Sequence, residues 1–388
     1  MAPLLAARPE KDHQVTPLAP SGLYLHVPFC SVKCRFCDFA AYPGRRGEIP
    51  RYLDALEKEI AQRAAETPRR LDTLYVGGGT PSLLSGEEIA RLAAVVDRAF
   101  PRAEGREASL ECNPETLTVE KLEAMRRAGF DRLSLGLQTT EDPLLKALGR
   151  SHDLRTFHGA YRAARDVGYD NLNIDLMYGL PGQTLDGWMD TVRRVVDLGP
   201  EHISAYALTV QEETYFHRSG VVPEDDLQAD MYEAAAEAMG KAGYGHYEIS
   251  NFAKPGRECR HNLRYWRNAE CLGAGVSAAW YDGKTRRTNT DNLSVYLLAM
   301  EGGQTPVVEA TALTEAERVG EDLMLRLRLA EGVTPTAEAA RLYGAALEEA
   351  VVEGLLRKDG GRYLPTRKGW RLSNALFVKL LAPEAPAG

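Results

Sequence analysis

The sequence predicts an α/β protein. A partial (β/α)6 barrel of the TIM-like kind, open on one side, is followed by a small C-terminal α+β domain of winged-helix-like form. Three observations carry this. Short apolar runs alternate with helical patterns about six times between residues 22 and 208, the signature of a parallel sheet with crossover helices. Polar and ligand-accessible features recur near the carboxyl ends of successive runs, at Tyr24, the Cys30–Cys37 loop, the Gly77-Gly78-Gly79 triplet, Glu111, Gln138 and Asp175. In a barrel those ends meet at one mouth, where sites form; an open sheet would spread them along a line. From about residue 311 the pattern becomes helices around one polar turn, Asp359-Gly360-Gly361. Six units are too few to close an eightfold barrel.

In chain order, Pro3, Pro9, Pro17 and Pro20 predict a mobile tail over residues 1–21. The barrel is expected over 22–215. Its strands are Gly22–Val27, Thr73–Val76, Ala108–Cys112, Arg132–Leu137, Asn171–Met177 and His202–Leu208. Its helices are Pro50–Ala65, one opened by the Ser85-x-x-Glu88 capping box, Val119–Ala128, Leu154–Val167, and one capped by Thr184 that runs to Leu198. Residues 216–310 extend the barrel with a helix at Leu227–Ala242, a strand at His246–Ser250 and a Gly-rich polar stretch to about 290. Thr314-x-x-Glu317, a second capping box, opens the C-terminal domain of 311–381, with three further helical pieces. That domain has no run of bases with interleaved aromatics, so packing or partner binding is expected of it rather than DNA binding.

Composition narrows the class. Across 388 residues, 44% hydrophobic and 26% charged content suits a globular protein, and a net charge of −8 argues against nucleic acid. No apolar run has the length of a membrane span. Six Cys in so long a chain are not a disulfide framework. A cytoplasmic location is expected, where thiols stay reduced.

Three of those six thiols, Cys30, Cys34 and Cys37, lie within eight residues at the end of the first strand. Short spacers let three sulfurs turn to one inorganic centre. Lys33 and Arg35 favour the thiolate form. Zinc would want a fourth Cys or His. None follows, and His26 sits upstream on a strand. A cubane cluster on three Cys leaves one iron open, whereas a disulfide or unrelated core thiols fit the clustering poorly. Cys112, Cys259 and Cys271 read as buried free thiols. Gly77-Gly78-Gly79-Thr80-Pro81 is either a ligand-approach turn or a plain loop. Glu111, Gln138, Arg150 and Asp175 are ordinary singly, and their shared mouth is the argument. The stretch Arg260–Trp266 packs His261, Asn262, Tyr265 and Trp266 beside two Arg. It suits a planar anionic ligand, or a rigid loop whose His and Asn bond to nearby backbone.

These motifs together resemble a known family. Tyr24-x-His26-x-Pro28-Phe29-Cys30-x3-Cys34-x2-Cys37-Asp38-Phe39 resembles the cluster loop of the radical S-adenosylmethionine (SAM) superfamily, in its coproporphyrinogen-oxidase-like branch. Within that branch the chain resembles the HemW haem chaperones, through Gly77–Pro81, Glu111-x-Asn113-Pro114, Leu135-Gly136-x-Gln138, Leu148-Gly149-Arg150-x-His152, Asn173-x-Asp175 through Pro181, and above all His261-Asn262-x-x-Tyr265-Trp266. The resemblance covers about residues 22–381 and identifies 311–381 as the HemN-type C-terminal domain.

The resemblance implies that Cys30, Cys34 and Cys37 ligate a [4Fe–4S] cluster whose open iron takes the amino and carboxylate groups of SAM. Tyr24 and Phe36 would line that pocket. Gly78, Gly79 and Thr80 would bind the methionine part. Glu111, Gln138, Arg150 and Asp175 would hold the remaining methionine and ribose groups. His261, Asn262, Tyr265 and Trp266 would bear on haem. The implied partners are haem, an acceptor haem protein of the respiratory kind and a second copy in a homodimer. Two departures separate the chain from the oxidases. Phe39 stands where they resemble a fourth Cys, and only about twenty residues precede the first strand. The leading expectation is therefore a haem chaperone. The alternatives are an oxygen-independent coproporphyrinogen III oxidase and a radical SAM C-methyltransferase.

Overall fold

The computed structural model describes residues 18–381. The tail expected over 1–21 lies mostly outside the described residues, and at Pro20 the chain is already in its first strand.

β1 (Pro20–Val27) buries Leu23, Leu25 and Val27 completely. The alternate residues Tyr24 and His26 take the opposite face, as a pleat requires. Two short strands, β2 (Phe29–Cys30) and β3 (Tyr42–Pro43), pair in parallel and pin both ends of the loop that carries Cys34 and Cys37. α1 (Ile49–Glu66) carries Pro50 in its first turn, where the missing N–H costs nothing, and buries Tyr52, Leu53, Leu56 and Ile60. β4 (Arg70–Gly78) leads to α2 (Gly86–Ala99). The predicted capping box forms there: the Glu88 amide donates to Ser85 Oγ at 3.1 Å and the Ser85 amide to Glu88 Oε2 at 2.7 Å. β5 (Arg102–Cys112), α3 (Val119–Arg127) and β6 (Arg132–Gln138) follow. Next come α4 (Asp142–Ala147), α5 (Leu154–Asp166), β7 (Leu172–Tyr178), α6 (Leu185–Leu198) and β8 (His202–Ala207).

The second part of the chain departs from its reading. After α7 (Tyr215–Arg218) and α8 (Asp225–Lys241), β9 (Gly245–Glu248) and β10 (Asn251–Ala253) form a hairpin that adds antiparallel to β8. The segment expected as a polar stretch contains α9 (Arg260–Trp266), β11 (Cys271–Ala274), β12 (Ala279–Tyr281) and β13 (Thr285–Asn289). β11 pairs in parallel with β1, Tyr24 lying opposite Gly273. The six expected strands and β11 therefore form the heart of the sheet, seven parallel strands in all. α10 (Leu293–Glu301) and β14 (Val307–Ala312) complete it. The twelve strands run β14-β13-β12-β11-β1-β4-β5-β6-β7-β8-β10-β9. Among the described residues no pairing joins β14 to β9, so the barrel is partial.

The remaining chain builds its own core. α11 (Glu315–Arg326), α12 (Ala337–Val352), the hairpin β15 (Leu356–Asp359) with β16 (Arg362–Pro365), α13 (Arg367–Arg371) and α14 (Ser373–Val378) follow in the order of a winged-helix-like unit. Leu323, Leu327, Tyr343, Leu347, Leu356 and Leu376 pack together there, apart from the barrel core. Among the described residues no helix is long and apolar enough to cross a membrane.

The inner face of the parallel strands is unusually polar. Thr73, Glu107, Ser109, Arg132, Ser134, Asn173, His202 and Ser204 are all buried. Buried polar groups need partners, and α9 supplies several of them. It enters beneath the mouth, where Glu107 accepts the amides of Arg260 at 3.2 Å and His261 at 3.1 Å. Arg264 clasps Asp72 through both arms, at 2.7 and 2.6 Å. The helix is a floor to the barrel interior, which is why a segment so rich in polar residues can be so buried.

Candidate functional site

Backbone geometry brings the β4 turn against the thiol loop. The Gly79 amide donates to the Val27 carbonyl at 2.9 Å and the Thr80 amide to the Phe29 carbonyl at 2.8 Å. Gly78 has φ +112°, and a Cβ there would lie 2.7 Å from the His26 ring. A Cβ on Gly79 would meet the Phe29 carbonyl oxygen at 2.9 Å. Only glycine fits at either place. The Gly78 amide donates to Glu111 Oε2 at 3.0 Å, and Tyr75 donates to Oε1 at 3.0 Å. All three amides of Gly78, Gly79 and Thr80 are thus used within the protein.

Tyr24 donates to or accepts from His26 Nδ1 at 3.1 Å and stacks on Tyr75 at 6.3 Å. Asp175 accepts from Ser134 at 2.8 Å and from Asn173 at 2.7 Å. Burial raises its pKa, and the same cause, reinforced by Asp175, raises Glu111 to about 7. Gln138 ends β6 at φ +73°, a conformation that costs a non-glycine residue roughly 1 kcal/mol or more and clusters at sites. Phe36 packs against Leu144, Leu148, Met177, Leu180, Leu208 and Phe216, which anchors the loop between its cysteines.

Arg150 sits on the loop after α4 and reaches from there to the strand ends. Its Nη1 reaches Cys34 Sγ at 3.4 Å, and its Nη2 donates to Asn113 Oδ1 at 2.7 Å and the Gly136 carbonyl at 2.9 Å. A Cβ on Gly136 would stand 3.0 Å from Nη2, so glycine makes the cradle. Nε is buried without a partner. Cys30 Sγ lies 3.4 Å from Thr80 Oγ1. Burial raises the Cys30 thiol, opposed by the Thr80 bond and the charges of Arg150 and Lys33. Burial likewise pushes Cys37 up to about 11, opposed by the Phe39 amide. All six cysteines are free, and Cys112, Cys259 and Cys271 are buried, as read.

The second predicted cluster of residues is not at the mouth. His261 is buried in the floor. Its Nδ1 pairs with Thr73 Oγ1 at 2.9 Å and its Nε2 with Tyr265 Oη at 3.1 Å, while its ring stacks on Tyr75 at 5.2 Å. Burial, then Arg264 and Arg132, lowers His261 to about 3. Trp266 lies under Arg328, whose guanidinium is 4.2 Å from its ring, and Asn262 is partly exposed. So Cys30, Cys34, Cys37, Thr80, Glu111, Arg150 and their neighbours meet at the strand ends, and His261 and Tyr265 lie one layer below. A groove of about 860 Å³ between α2 and α3 touches none of them.

Residues 24–195 match the Radical SAM superfamily model, and 313–372 match the HemN C-terminal domain. The chain is 35% identical to the Heme chaperone HemW of Bacillus subtilis, over 92% of this chain and 98% of that one. It is 37% identical to that of Mycobacterium tuberculosis, over 94% and 96% respectively. The chain belongs to the HemW family of radical SAM proteins. A solved relative, the coproporphyrinogen III oxidase (HemN) of Escherichia coli, a radical SAM enzyme, superposes with a TM-score of 0.83 at 26% identity, covering 94% of this chain and 90% of that one.

Radical SAM membership implies a [4Fe–4S] cluster and SAM, and the donor set fits them. Among the described residues no three His, Cys, Asp or Glu side chains are arranged around a single metal ion. A cubane takes its three thiolates at separate irons and needs no such convergence. Sequence reasoning passed over Ser134 and Tyr75, which hold Asp175 and Glu111 in place, and it met Asn113 and Asn173 only inside motifs, with no role for either, although Asn113 holds Thr80 and Arg150 and Asn173 holds Asp175. For Tyr75, Ser134 and Asn173 the signal was present as polar residues at alternate positions of strands otherwise buried on both faces.

Proposed function

We propose that the chain is a haem chaperone of the cytoplasm, which binds haem and passes it to an acceptor haem protein. In this reading Cys30, Cys34 and Cys37 hold a [4Fe–4S] cluster, and SAM binds at the open iron. The observation that carries it is the three-thiol loop, intact at the strand ends of a chain at least 35% identical to two curated relatives named Heme chaperone HemW. Phe39, 60% exposed where the oxidases resemble a further Cys, supports a carrier over a decarboxylase.

The remaining roles follow from free valences. With their amides committed, Gly78 and Gly79 offer a ligand only carbonyl oxygens, which suit the ammonium of a methionine group. Thr80 bounds the same turn. Arg150 has five N–H donors and uses three, one on Nη1 and two on Nη2, and with Nε buried the free Nη1 hydrogen is the one a carboxylate would take. Glu111, Gln138 and Asp175 take the amine and ribose hydroxyls, with Tyr24 and Phe36 at the walls. When bound, the cluster and SAM supply one-electron chemistry, and the protein positions and shields it. For haem, His261, Asn262, Tyr265 and Trp266 are retained from the family resemblance. Iron can reach His261 Nε2 only by displacing Tyr265.

A second reading, coproporphyrinogen III oxidase, is favoured by the superposition on HemN. One experiment separates the two. The anaerobically reconstituted protein is titrated with haem, then incubated with coproporphyrinogen III, SAM and reductant. Near one-to-one haem binding without protoporphyrinogen IX is expected. Turnover to protoporphyrinogen IX, or no haem binding, overturns the chaperone reading.

A further inference from the structure

One continuous hydrogen-bonded arc joins two of the three thiols. Arg150 Nη1 donates to Cys34 Sγ at 3.4 Å, and Nη2 donates to Asn113 Oδ1 at 2.7 Å. Asn113 Nδ2 donates to Thr80 Oγ1 at 3.2 Å. Having accepted that bond, the Thr80 hydroxyl can direct its own hydrogen to Cys30 Sγ at 3.4 Å. The donor direction is consistent from end to end. Three separate elements supply it: the loop after α4, the end of β5 and the β4 turn.

The arc is fixed from outside itself. Gly136 accepts from Arg150 at 2.9 Å. The Asn113 amide is held by Ser82 Oγ at 3.0 Å. Just beyond Arg150, Ser151 donates to Glu115 Oε1 at 2.5 Å, and the buried His152 ring lies 3.6 Å from Glu115 Oε2. A guanidinium and a hydroxyl are therefore aimed at sulfur by rigid neighbours.

We propose that Arg150, Asn113 and Thr80 form a positioning arc that sets the reduction potential of the cluster by hydrogen bonding to Cys34 and Cys30. It rests on the three cysteines holding a cluster, as argued above. Hydrogen bonds to cluster sulfur tune potential. Donors favour the reduced state, which carries one more negative charge, and a charged donor does so more strongly. Arg150 is the strong end of the arc and Thr80 the weak end. Asn113 touches neither thiol and acts by orienting both donors.

The test is a potentiometric titration of the reconstituted cluster without SAM, read by electron paramagnetic resonance, with iron and sulfide assayed alongside. Arg150→Met should lower the reduced-to-oxidised ratio at a fixed potential about tenfold, a midpoint shift of about 59 mV to the negative for one electron. Thr80→Val and Asn113→Ala should lower it by about threefold. Thr80→Ser, which keeps the hydroxyl, should match the native protein. Native-like midpoints in Thr80→Val and Arg150→Met with the cluster intact overturn the inference. Should Arg150→Met lose its cluster, the Val and Ser variants at residue 80 decide it. Failure of the native chain to assemble a cluster overturns the prior reading instead.

Discussion

Burial and the neighbouring Asp175 carboxylate raise Glu111 to about 7. Its folded value lies above the unfolded one, so its contribution to stability is complete below about pH 4.3 and is lost as pH rises through 7. Glu111→Gln removes that dependence, at a constant cost, because an amide oxygen cannot fully replace a carboxylate facing both Tyr75 and Gly78. Thermal melts at about pH 5 and about pH 8 should show the variant gaining on the native protein at the higher pH. A difference that does not change with pH would contradict the assignment. His261 gives a second prediction. If iron takes Nε2, Tyr265→Phe removes a competing bond worth about 1 kcal/mol and tightens haem binding about fivefold, while His261→Ala weakens it. Haem titrations that match the native protein in both variants would place haem elsewhere.

At the scale of elements, α9 depends on Glu107. That buried carboxylate accepts the first two amides of the helix and lies beside the buried Arg132 guanidinium. Glu107→Ala should cost about 3–5 kcal/mol in chemical denaturation, the range for removing one partner of a buried charge pair. A loss below 1 kcal/mol would mean that α9 is held by Arg264 and Asp72 instead. The same element shows where sequence reading stops. The six strand–helix units, both capping boxes and the thiol loop were legible because each has a local signal: alternation, a Ser or Thr three residues before Glu, a Cys spacing. α9 reads as a loop because its polar residues have partners 150 or more residues away, in Asp72, Thr73 and Glu107. β11 is four residues long with Gly273 inside it, so no periodicity marks it, and only its pairing with β1 makes it a strand. Glu111 and Asp175 were legible as site candidates. Asn113, whose importance lies in joining two other side chains, was legible only as part of a motif.

For the whole molecule, the C-terminal domain is clamped to the barrel by named contacts. Trp370 packs on His246 at 4.4 Å, Arg328 lies between Trp266 and Glu248, and Arg286 grips Glu321 at 2.9 and 2.7 Å. Trp370→Ala should cost about 3 kcal/mol, and calorimetry should resolve the C-terminal domain as an earlier transition. An unchanged melting profile would mean that the clamp does not couple the two cores. Acid acts on the whole fold through buried histidines. His246 is lowered to about 4 and His261 to about 3, each chiefly by burial, and His202 is lowered in the same sense. Their folded values lie below the unfolded one, so stability is lost as pH falls below about 6.5, where the unfolded chain takes up protons first. The central claim is that one loop holds a cluster with an open iron at the mouth of this partial barrel. Iron and sulfide analysis after anaerobic reconstitution, with the electron paramagnetic resonance spectrum recorded before and after SAM, tests it most directly. The native protein should hold about four iron and four sulfide per chain with a spectrum that changes on SAM addition, and Cys30→Ala, Cys34→Ala and Cys37→Ala should each lose the cluster. Full iron content in those variants, or a native spectrum indifferent to SAM, would contradict it.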